Sequence, residues 1–280
     1  AEITNTTFSG NYARQQGGAI YTAGSGVVLD VADNTFTGNY SYSHGGALYA
    51  AANDEVTSDG NTWSANWGYY THGGAIALAA GASLASTDDT FTENYAYYFT
   101  SGYAGGAIYG ASANTVSIDG ATFDGNYSYY GGAIYLYDGG TLAVSDSSFD
   151  GHYGYQGGAI YLSTSVTATI ADTTFTGDYA VYSGGAVHAT TTIDLTIADS
   201  TFEDSTAAND HGGAIYQYYY GDLSVSGSTF DGTTAYDNGG AIYLQQLYTG
   251  VDISDSTFTS TATSRGYGGA IYQYHNTDLT

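Results

Sequence analysis

Short stretches of alternating apolar and polar residues recur along the whole chain. Pairs of apolar residues separated by a single residue, such as Leu29/Val31 and Val116/Ile118, are the clearest examples. Alternation of this kind is typical of a β-strand with one buried face. No apolar pattern of helical period is long enough to form a crossover helix, so the pattern predicts an all-β chain rather than a doubly wound sheet.

The sequence Gly-Gly-Ala-Ile-Tyr, first found at residues 17–21, is the most regular feature of the chain. Ten glycine pairs occur at intervals of 26 to 32 residues, beginning at Gly17, Gly45, Gly73, Gly105, Gly131, Gly157, Gly184, Gly212, Gly239 and Gly268. A period of this size indicates an array of stacked units. Alternation places the Ile on one face and the following Tyr on the other, so the motif predicts a tight turn followed by a core strand.

An aromatic residue follows nine of the glycine pairs after 18 or 19 residues, and Phe8 opens the series. Ser or Thr precedes every one of these aromatics, so we expect the ring to point inward and the hydroxyl outward. The residue three positions before the aromatic is always Gly, Asp or Asn. These residues accept a left-handed backbone, and the column predicts a bend between two strands.

Together the patterns predict an all-β solenoid of about ten three-stranded coils, with about 28 residues per coil. We expect residues 1–280 to form a single domain that is open at both ends. The segment between the aromatic and the next glycine pair varies most in length, and is longest between Phe91 and Gly105. This segment is the expected loop.

An asparagine follows the aromatic in the first half of the chain. Phe-x-x-Asn occurs as Phe8/Asn11, Phe36/Asn39, Phe91/Asn94 and Phe123/Asn126. An amide repeated in every coil predicts a hydrogen-bonded asparagine ladder with a step of about 4.8 Å. Together with Gly-Gly-Ala-Ile, the motif resembles the repeat pair of the chlamydial polymorphic outer-membrane proteins. The resemblance implies a right-handed parallel β-helix that serves as an exported autotransporter adhesin passenger.

The net charge of the chain limits the classes of partner that it can bind. Asp and Glu total 27 against two basic residues, Arg14 and Arg265, which gives a formal net charge of −25. Such a charge repels nucleic acid and anionic membranes, and no run of 18 apolar residues predicts membrane insertion. Because the sequence starts at Ala1 without a Met, we expect a processed export product that is secreted and displayed on a cell surface.

Many of the 32 tyrosines fall in the loop segment. Stacked coils would align them into an aromatic surface strip, for which the candidates are Tyr40, Trp67, Tyr95, Tyr127, Tyr129, Tyr130 and Tyr153. Exposed tyrosines could stack on glycans or on surface proteins, or they could simply stabilise the solenoid surface.

Catalysis and metal binding have weaker sequence support. Parallel β-helices include polysaccharide lyases and hydrolases, but the Asp residues here follow the repeat instead of forming a local exception to it. We therefore expect no enzyme, no catalytic residues and no cofactor. If an ion is bound, the excess of Asp favours structural calcium in the loops. Outward Thr-x-Thr pairs suggest ice binding as a third class, but Asp124 and Asp150 interrupt that array.

The two ends suggest assembly. Both lie within a coil, and the expected end faces carry Ile3, Phe8, Arg14, Arg265, Ile271 and Leu279. We hypothesise that subunits stack head to tail into a filament through these residues. The alternative is that the 280 residues belong to a longer array, which would be an adhesin passenger or stalk.

Overall fold

The computed structural model describes residues 1–69, 72–97, 104–245 and 250–274. These residues form parallel strands and no helix, and none of them belongs to a helix that could cross a membrane. Each coil pairs in register with the next one along the axis. The predicted all-β solenoid with about 28 residues per coil is thereby confirmed.

The first sheet contains 18 strands, because the strand after the glycine pair and the strand before the bend lie in the same sheet. Its strands are Glu2–Thr4, Ile20–Tyr21, Val28–Ala32, Leu48–Ala50, Glu55–Asp59, Ile76–Leu78, Ser83–Thr87, Ile108–Asp119, Ile134–Ser145, Ile160–Thr164, Thr167–Ala171, Val187–Thr191, Asp194–Ala198, Ile215–Tyr218, Leu223–Ser226, Ile242–Gln245, Val251–Ser254 and Ile271–Tyr274.

The second sheet contains the ten strands that carry the repeated aromatic. They are Thr7–Ser9, Thr35–Thr37, Thr62–Ser64, Thr90–Thr92, Thr122–Asp124, Ser148–Asp150, Thr174–Thr176, Thr201–Glu203, Thr229–Asp231 and Thr257–Thr259. The bend before each strand has a positive φ in all ten coils, for example 56° at Asp33 and 64° at Gly120. The predicted bend column is therefore confirmed.

The remaining strands are two residues long and lie between the aromatic and the glycine pair. One set is Tyr12–Ala13, Tyr40–Ser41, Trp67–Gly68 and Tyr95–Ala96. The other set is Tyr153–Gly154, Tyr179–Ala180, Thr206–Ala207, Thr234–Ala235 and Ala262–Thr263. Single bridges from Tyr95 to Tyr127 and from Tyr127 to Tyr153 connect the two sets.

The core is a column of apolar rungs. The inward Ile, Leu and Val residues of the first sheet pack against the aromatic column of the second. Successive rings of that column stack nearly parallel, with centroids 4.8 Å apart for Phe8 and Phe36 and 4.7 Å apart for Phe175 and Phe202. Between the ends of the column these rings are fully buried.

The two glycines of each pair are required for different reasons. Gly17 has a positive φ of 61°, whereas a Cβ on Gly18 would overlap the carbonyl oxygen of Gly46 in the next coil. The first glycine therefore makes the turn, and the second permits close contact between coils. This arrangement confirms the interpretation of the motif as a turn before a core strand.

A buried asparagine ladder runs beside the aromatic column. The side-chain Nδ2 of each Asn donates to Oδ1 of the next, at 2.8 Å from Asn11 to Asn39 and at 3.0 Å for each later step through Asn66 and Asn94 to Asn126. The predicted ladder is confirmed. A second ladder, which was not predicted, links Asn34, Asn61 and Asp89 just after the bend.

Candidate functional site

Seven aromatic residues form a continuous column of ring contacts on the surface, which we call the outer aromatic ladder. Its members are Tyr12, Tyr40, Trp67, Tyr95, Tyr127, Tyr153 and Tyr179, with successive ring centroids 4.8–6.2 Å apart. Each ring directly follows a residue of the asparagine column or its continuation, so strand alternation turns the ring outward. Five of the seven residues in the predicted strip lie in this ladder.

The other two residues of the predicted strip lie elsewhere. The ring of Tyr129 stacks on Tyr155 at 4.3 Å. The ring of Tyr130 lies 4.7 Å from Tyr161 and 6.1 Å from Tyr135. The structure thus divides the seven residues among three neighbouring groups of rings.

Stacking determines what the outer aromatic ladder can offer to a ligand. Tyr127 is 36% exposed and Trp67 is 41% exposed. From Tyr95 to Tyr179 each ring covers the face of its neighbour, so mainly ring edges and phenol oxygens face solvent there, whereas Trp67 meets Tyr95 edge-on at an interplanar angle of 63°. A ligand that requires an open ring face would find it at the ends of the stack, where Tyr12 has an aromatic neighbour on one side within the described residues.

A second aromatic column lies on the outer side of the first sheet. We call it the inner aromatic ladder because it is the more buried of the two columns. It comprises Tyr21, Tyr49, Tyr109, Tyr135, Tyr161, His188, Tyr216, Tyr243 and Tyr272. Several of its rings are almost fully buried, including Tyr135 and Tyr243. The repeated Tyr after Gly-Gly-Ala-Ile is the sequence signal for this column, which was not among the predictions.

Ala77 interrupts the inner aromatic ladder. His72 stacks on Tyr109 with ring centroids 4.4 Å apart, and His44 stacks on His72 at 4.7 Å. The two imidazoles line a pocket of about 270 Å³ whose floor is formed by small residues, including Ala77 and Ala79. Burial, with a further contribution from nearby His72, lowers the pKa of His44 to about 4, so this imidazole is neutral at pH 7.

Burial favours the neutral form of several phenols in the outer aromatic ladder. Burial raises the pKa of Tyr95 to about 12, and Tyr127 and Tyr97 add to the effect. Burial also raises the pKa of Tyr127 and Tyr153, with repulsion from neighbouring tyrosines as the second cause. Clustered phenols resist ionisation because each phenolate would lie beside another one.

The asparagine column changes character after Asn126. The backbone N–H of Asn126 donates to His152 Nδ1 at 3.0 Å, and the N–H of His152 donates to Asp178 Oδ1 at 3.0 Å. His152 Nε2 and Asp178 Oδ2 are buried without a hydrogen-bond partner. Burial lowers the pKa of His152 to about 3 and raises the pKa of Asp178 well above its usual range. Both side chains are therefore buried in their uncharged forms.

One group of possible metal ligands occurs among the described residues, formed by Asp210, His211 and Asp237. His211 Nδ1 accepts the backbone N–H of Asn238 at 3.1 Å, and its Nε2 lies 3.1 Å from Asp210 Oδ1. A neutral imidazole whose Nδ1 accepts must carry its proton on Nε2. This proton donates to Asp210, so both ring nitrogens are engaged within the protein.

The residues of the expected end faces occupy the first and last coils. Ile3, Phe8 and Ile271 are half-buried and pack against the core. Arg14 is exposed, and the Arg265 guanidinium lies 5.0 Å from the centroid of the Tyr236 ring. Leu279 lies outside the described residues.

The chain was compared with known proteins. Residues 1–175 and 132–280 match the family described as "right handed beta helix region". No curated protein matches the chain. Two similar solved structures are GH87 α-1,3-glucanase catalytic domains, two variants in complex with nigerose. Each has 12% identity and a TM-score of 0.31, and the match covers all of this chain and 63% of the catalytic domain.

The structural comparison corrects one expectation. We predicted that the chain is not an enzyme, whereas these neighbours are catalytic domains of glycoside hydrolases. The prediction is therefore withdrawn. At this TM-score and identity the likeness transfers no catalytic residue and no substrate to the chain. The family match covers every residue of the sequence, and the chain accordingly belongs to the right-handed β-helix family.

Proposed function

We propose that the chain is a structural segment of an extracellular, cell-surface filament in which copies stack head to tail. One observation carries the proposal, namely the self-complementarity of the coils. The contact between Phe230 and Phe258, with ring centroids 4.8 Å apart, repeats the contact between Phe8 and Phe36 at the other end. A surface that pairs repeatedly with copies of itself inside one chain can pair with a second chain in the same way.

The end coils present the same kinds of residues that meet inside the solenoid. Phe8 and Phe258 are half-buried, whereas the rings between them are fully buried. In a head-to-tail joint Phe258 would stack on Phe8 of the next copy, and Ile271 would meet the strand that contains Ile20 of that copy. Burying these half-exposed apolar groups favours association, and pairing the open strand edges removes a source of unspecific aggregation.

The exposed location is proposed on the same grounds. A net charge of −25 keeps the rod soluble and repels polyanions. The resemblance of the Phe-x-x-Asn and Gly-Gly-Ala-Ile motifs to chlamydial adhesin passengers supports export to a surface. No partner beyond a second copy is required for this function.

Sedimentation velocity and electron microscopy of the 280-residue chain test the proposal. We expect unbranched fibres with an axial repeat of about 48 Å, at about 4.8 Å for each of ten coils. Phe258→Asp should abolish assembly, because it places a carboxylate in the apolar joint. Thr259→Asn, on the outward side of the same strand, changes a polar side chain without adding charge; it is the matched control and should assemble normally. Monomers at high concentration would refute the proposal and favour adjoining coils within one longer polypeptide.

Contact with other surfaces through the outer aromatic ladder is a second candidate function, and the exposure of Trp67 and Tyr127 favours it. Glycans or proteins would contact ring edges and phenol oxygens. Binding to a glycan array that is lost on Trp67→Ala, but not on Tyr135→Phe in the buried column, would support this adhesin function.

A further inference from the structure

The chain has an unusual inventory of reactive side chains. It contains no Cys and no Met, and its two basic residues are both Arg, so it contains no Lys either. Disulfide bonds and lysine-derived cross-links are therefore not available to it. It does contain 32 Tyr, whose phenols can be oxidised by one electron and can couple in pairs.

The outer aromatic ladder places such phenols in contact from coil to coil. The ring centroids of Tyr95 and Tyr127 are 4.8 Å apart with an interplanar angle of 18°, and those of Tyr127 and Tyr153 are 4.9 Å apart with an angle of 8°. Tyr153 and Tyr179 are 5.3 Å apart. The backbone register places Tyr95, Tyr127, Tyr153 and Tyr179 directly above one another, and the small interplanar angles stack their rings face to face.

We propose that the outer aromatic ladder is a site of oxidative tyrosine–tyrosine cross-linking, which joins successive coils covalently. Each of two phenols loses one electron and one proton to give a pair of phenoxyl radicals. The radicals couple through their Cε carbons, and each Cε–H hydrogen moves to the phenol oxygen as the rings regain aromaticity. The net change is the loss of two hydrogen atoms, and one molecule of hydrogen peroxide accepts them and becomes two molecules of water. The oxidant class is a peroxidase acting with peroxide.

Exposure distinguishes this ladder from the buried middle of the inner aromatic ladder, whose first member, Tyr21, is itself 51% exposed. Tyr12 is 60% exposed and Tyr179 is 36% exposed, whereas Tyr135 in the inner aromatic ladder is 1% exposed although its neighbours are at similar distances. Because the phenol of a tyrosine is ordinarily neutral at pH 7, its oxidation must release a proton to solvent. A buried phenol can neither reach an enzyme-sized oxidant nor release that proton easily.

Trp67 divides the ladder into two separate groups of tyrosines. Tyr12 and Tyr40 form one group at 5.1 Å. The other group is Tyr95, Tyr127, Tyr153 and Tyr179. Since one coupling step joins two rings, pairwise coupling along the ladder gives at most three cross-links, one in the first group and two in the second.

These bonds would provide covalent cross-links in a solenoid that has no disulfide bonds. A bond between Tyr127 and Tyr153 closes a loop of one coil, and a cross-link that closes a loop restricts the unfolded chain. The inference concerns contacts within one chain, so it holds whether or not copies assemble head to tail.

Treatment of the full chain with a haem peroxidase and hydrogen peroxide tests the inference, at a dilution at which the chain sediments as a monomer. Because trypsin has only two sites, the product is digested at Asp and cross-linked peptides are identified by mass spectrometry. We expect monomeric product with dityrosine fluorescence and peptide pairs from Tyr12/Tyr40 and from neighbours in the group from Tyr95 to Tyr179.

Tyr153→Phe keeps a stacking ring but cannot form a phenoxyl radical. This variant should lose every cross-link that involves residue 153 and retain the pair Tyr95/Tyr127. Tyr135→Phe is the matched control in the buried column and should leave the pattern unchanged. Circular dichroism checks that both variants are folded. The inference is overturned if no peptide pair forms, if the pairs are mainly intermolecular, or if Tyr153→Phe leaves the pattern of pairs intact.

Discussion

A residue in the asparagine column must do two things at once. Asn94 accepts the backbone N–H of Asn66 through Oδ1 at 3.0 Å, and its Nδ2 donates to the carbonyl oxygen of Trp63 at 2.7 Å and to Asn126. The position therefore needs one acceptor and one donor on a short side chain. Asn supplies both without charge, which explains the recurrence of Asn over several coils.

Asp178 occupies the same column and accepts the N–H of His152 through Oδ1. Its other oxygen is buried without a partner, at the place where an Asn would carry its donor. Burial raises the pKa of this carboxyl, because an ionised group there would lose its hydration without gaining a cation. As a neutral acid, Asp178 imitates an asparagine.

Asp178→Asn should stabilise the protein at pH 7 by about 1.4 kcal/mol for each unit by which the folded pKa of Asp178 exceeds its unfolded value, because the buried carboxyl must take up a proton on folding and an amide need not. The new Nδ2 can donate to the carbonyl oxygen of Phe149, as Asn126 donates to Phe91. Thermal unfolding monitored by circular dichroism measures the difference. Asp204→Asn, an exposed substitution at a left-handed position, should change the melting temperature little.

The gain from Asp178→Asn should depend on pH with a defined sign. The folded pKa of Asp178 is raised, so its stabilising contribution is complete below the unfolded value of about 3.8 and is lost as the pH rises through the folded pKa. Wild type and variant should therefore be nearly equal in stability near pH 3.5 and diverge as the pH rises to 7. A gain that is constant over this range would contradict the assignment of a neutral buried acid.

Some columns of equivalent residues can be predicted from the sequence, and others cannot. The asparagine ladder was predictable because one residue type recurs at a fixed distance from the aromatic. The ladder of Asn34, Asn61 and Asp89 was not, since the same column continues with Ala121, Ser147 and Thr173. Side chains of different types accept the backbone N–H of the preceding coil, so this hydrogen bond recurs on both sides of Ala121 although the residue type changes.

At the level of elements, the period-2 alternation correctly gave the strands but not their grouping into sheets. The strand after the glycine pair and the strand before the bend lie in one sheet, and in two coils they merge into Ile108–Asp119 and Ile134–Ser145. Sheet membership depends on which strands lie above one another in space. Alternation within one strand carries no information about that.

The second glycine of each pair is needed because a Cβ would clash with the next coil, whereas the turn glycines are needed for their backbone conformation. Substitutions can separate the two effects. A Cβ on Gly132 would overlap the carbonyl oxygen of Gly158, whereas a Cβ on Gly151 meets no atom within 4 Å but requires a φ of 63°. Gly151→Ala should cost about 1–2 kcal/mol, the price of a left-handed alanine. Gly132→Ala should cost several kcal/mol more, because backbone must move in two coils.

Urea denaturation of the two variants measures this difference. The order of the two effects is the decisive result, since a larger loss for Gly151→Ala would mean that turn conformation, rather than contact between coils, limits the glycine column. Serine at the same positions should reproduce the order, because the clash arises at Cβ.

At the level of the whole molecule, the repeat aligns like charges. Asp124 is in register with Asp150, and Glu203 with Asp231, on the outward face of the second sheet. Strands in register are about 4.8 Å apart, and like charges directly opposite each other are destabilising. With a net charge of −25 spread along a rod, repulsion opposes both the fold and any stacking of copies.

Replacing one member of such a pair should therefore stabilise the rod in a salt-dependent manner. Asp150→Thr introduces the residue found at the equivalent position of the next coil, Thr176, and should add about 0.2–1 kcal/mol at low ionic strength. The gain should shrink as NaCl is raised toward 1 M, where the Debye length falls to about 3 Å. Ser148→Thr, on the same strand and without a charge change, should show no such dependence.

Repeating the wild-type titration with CaCl₂ at equal ionic strength separates screening from binding. Equal melting temperatures in the two salts would argue against the loop-bound calcium expected from the Asp content, whereas a higher one in CaCl₂ would support it.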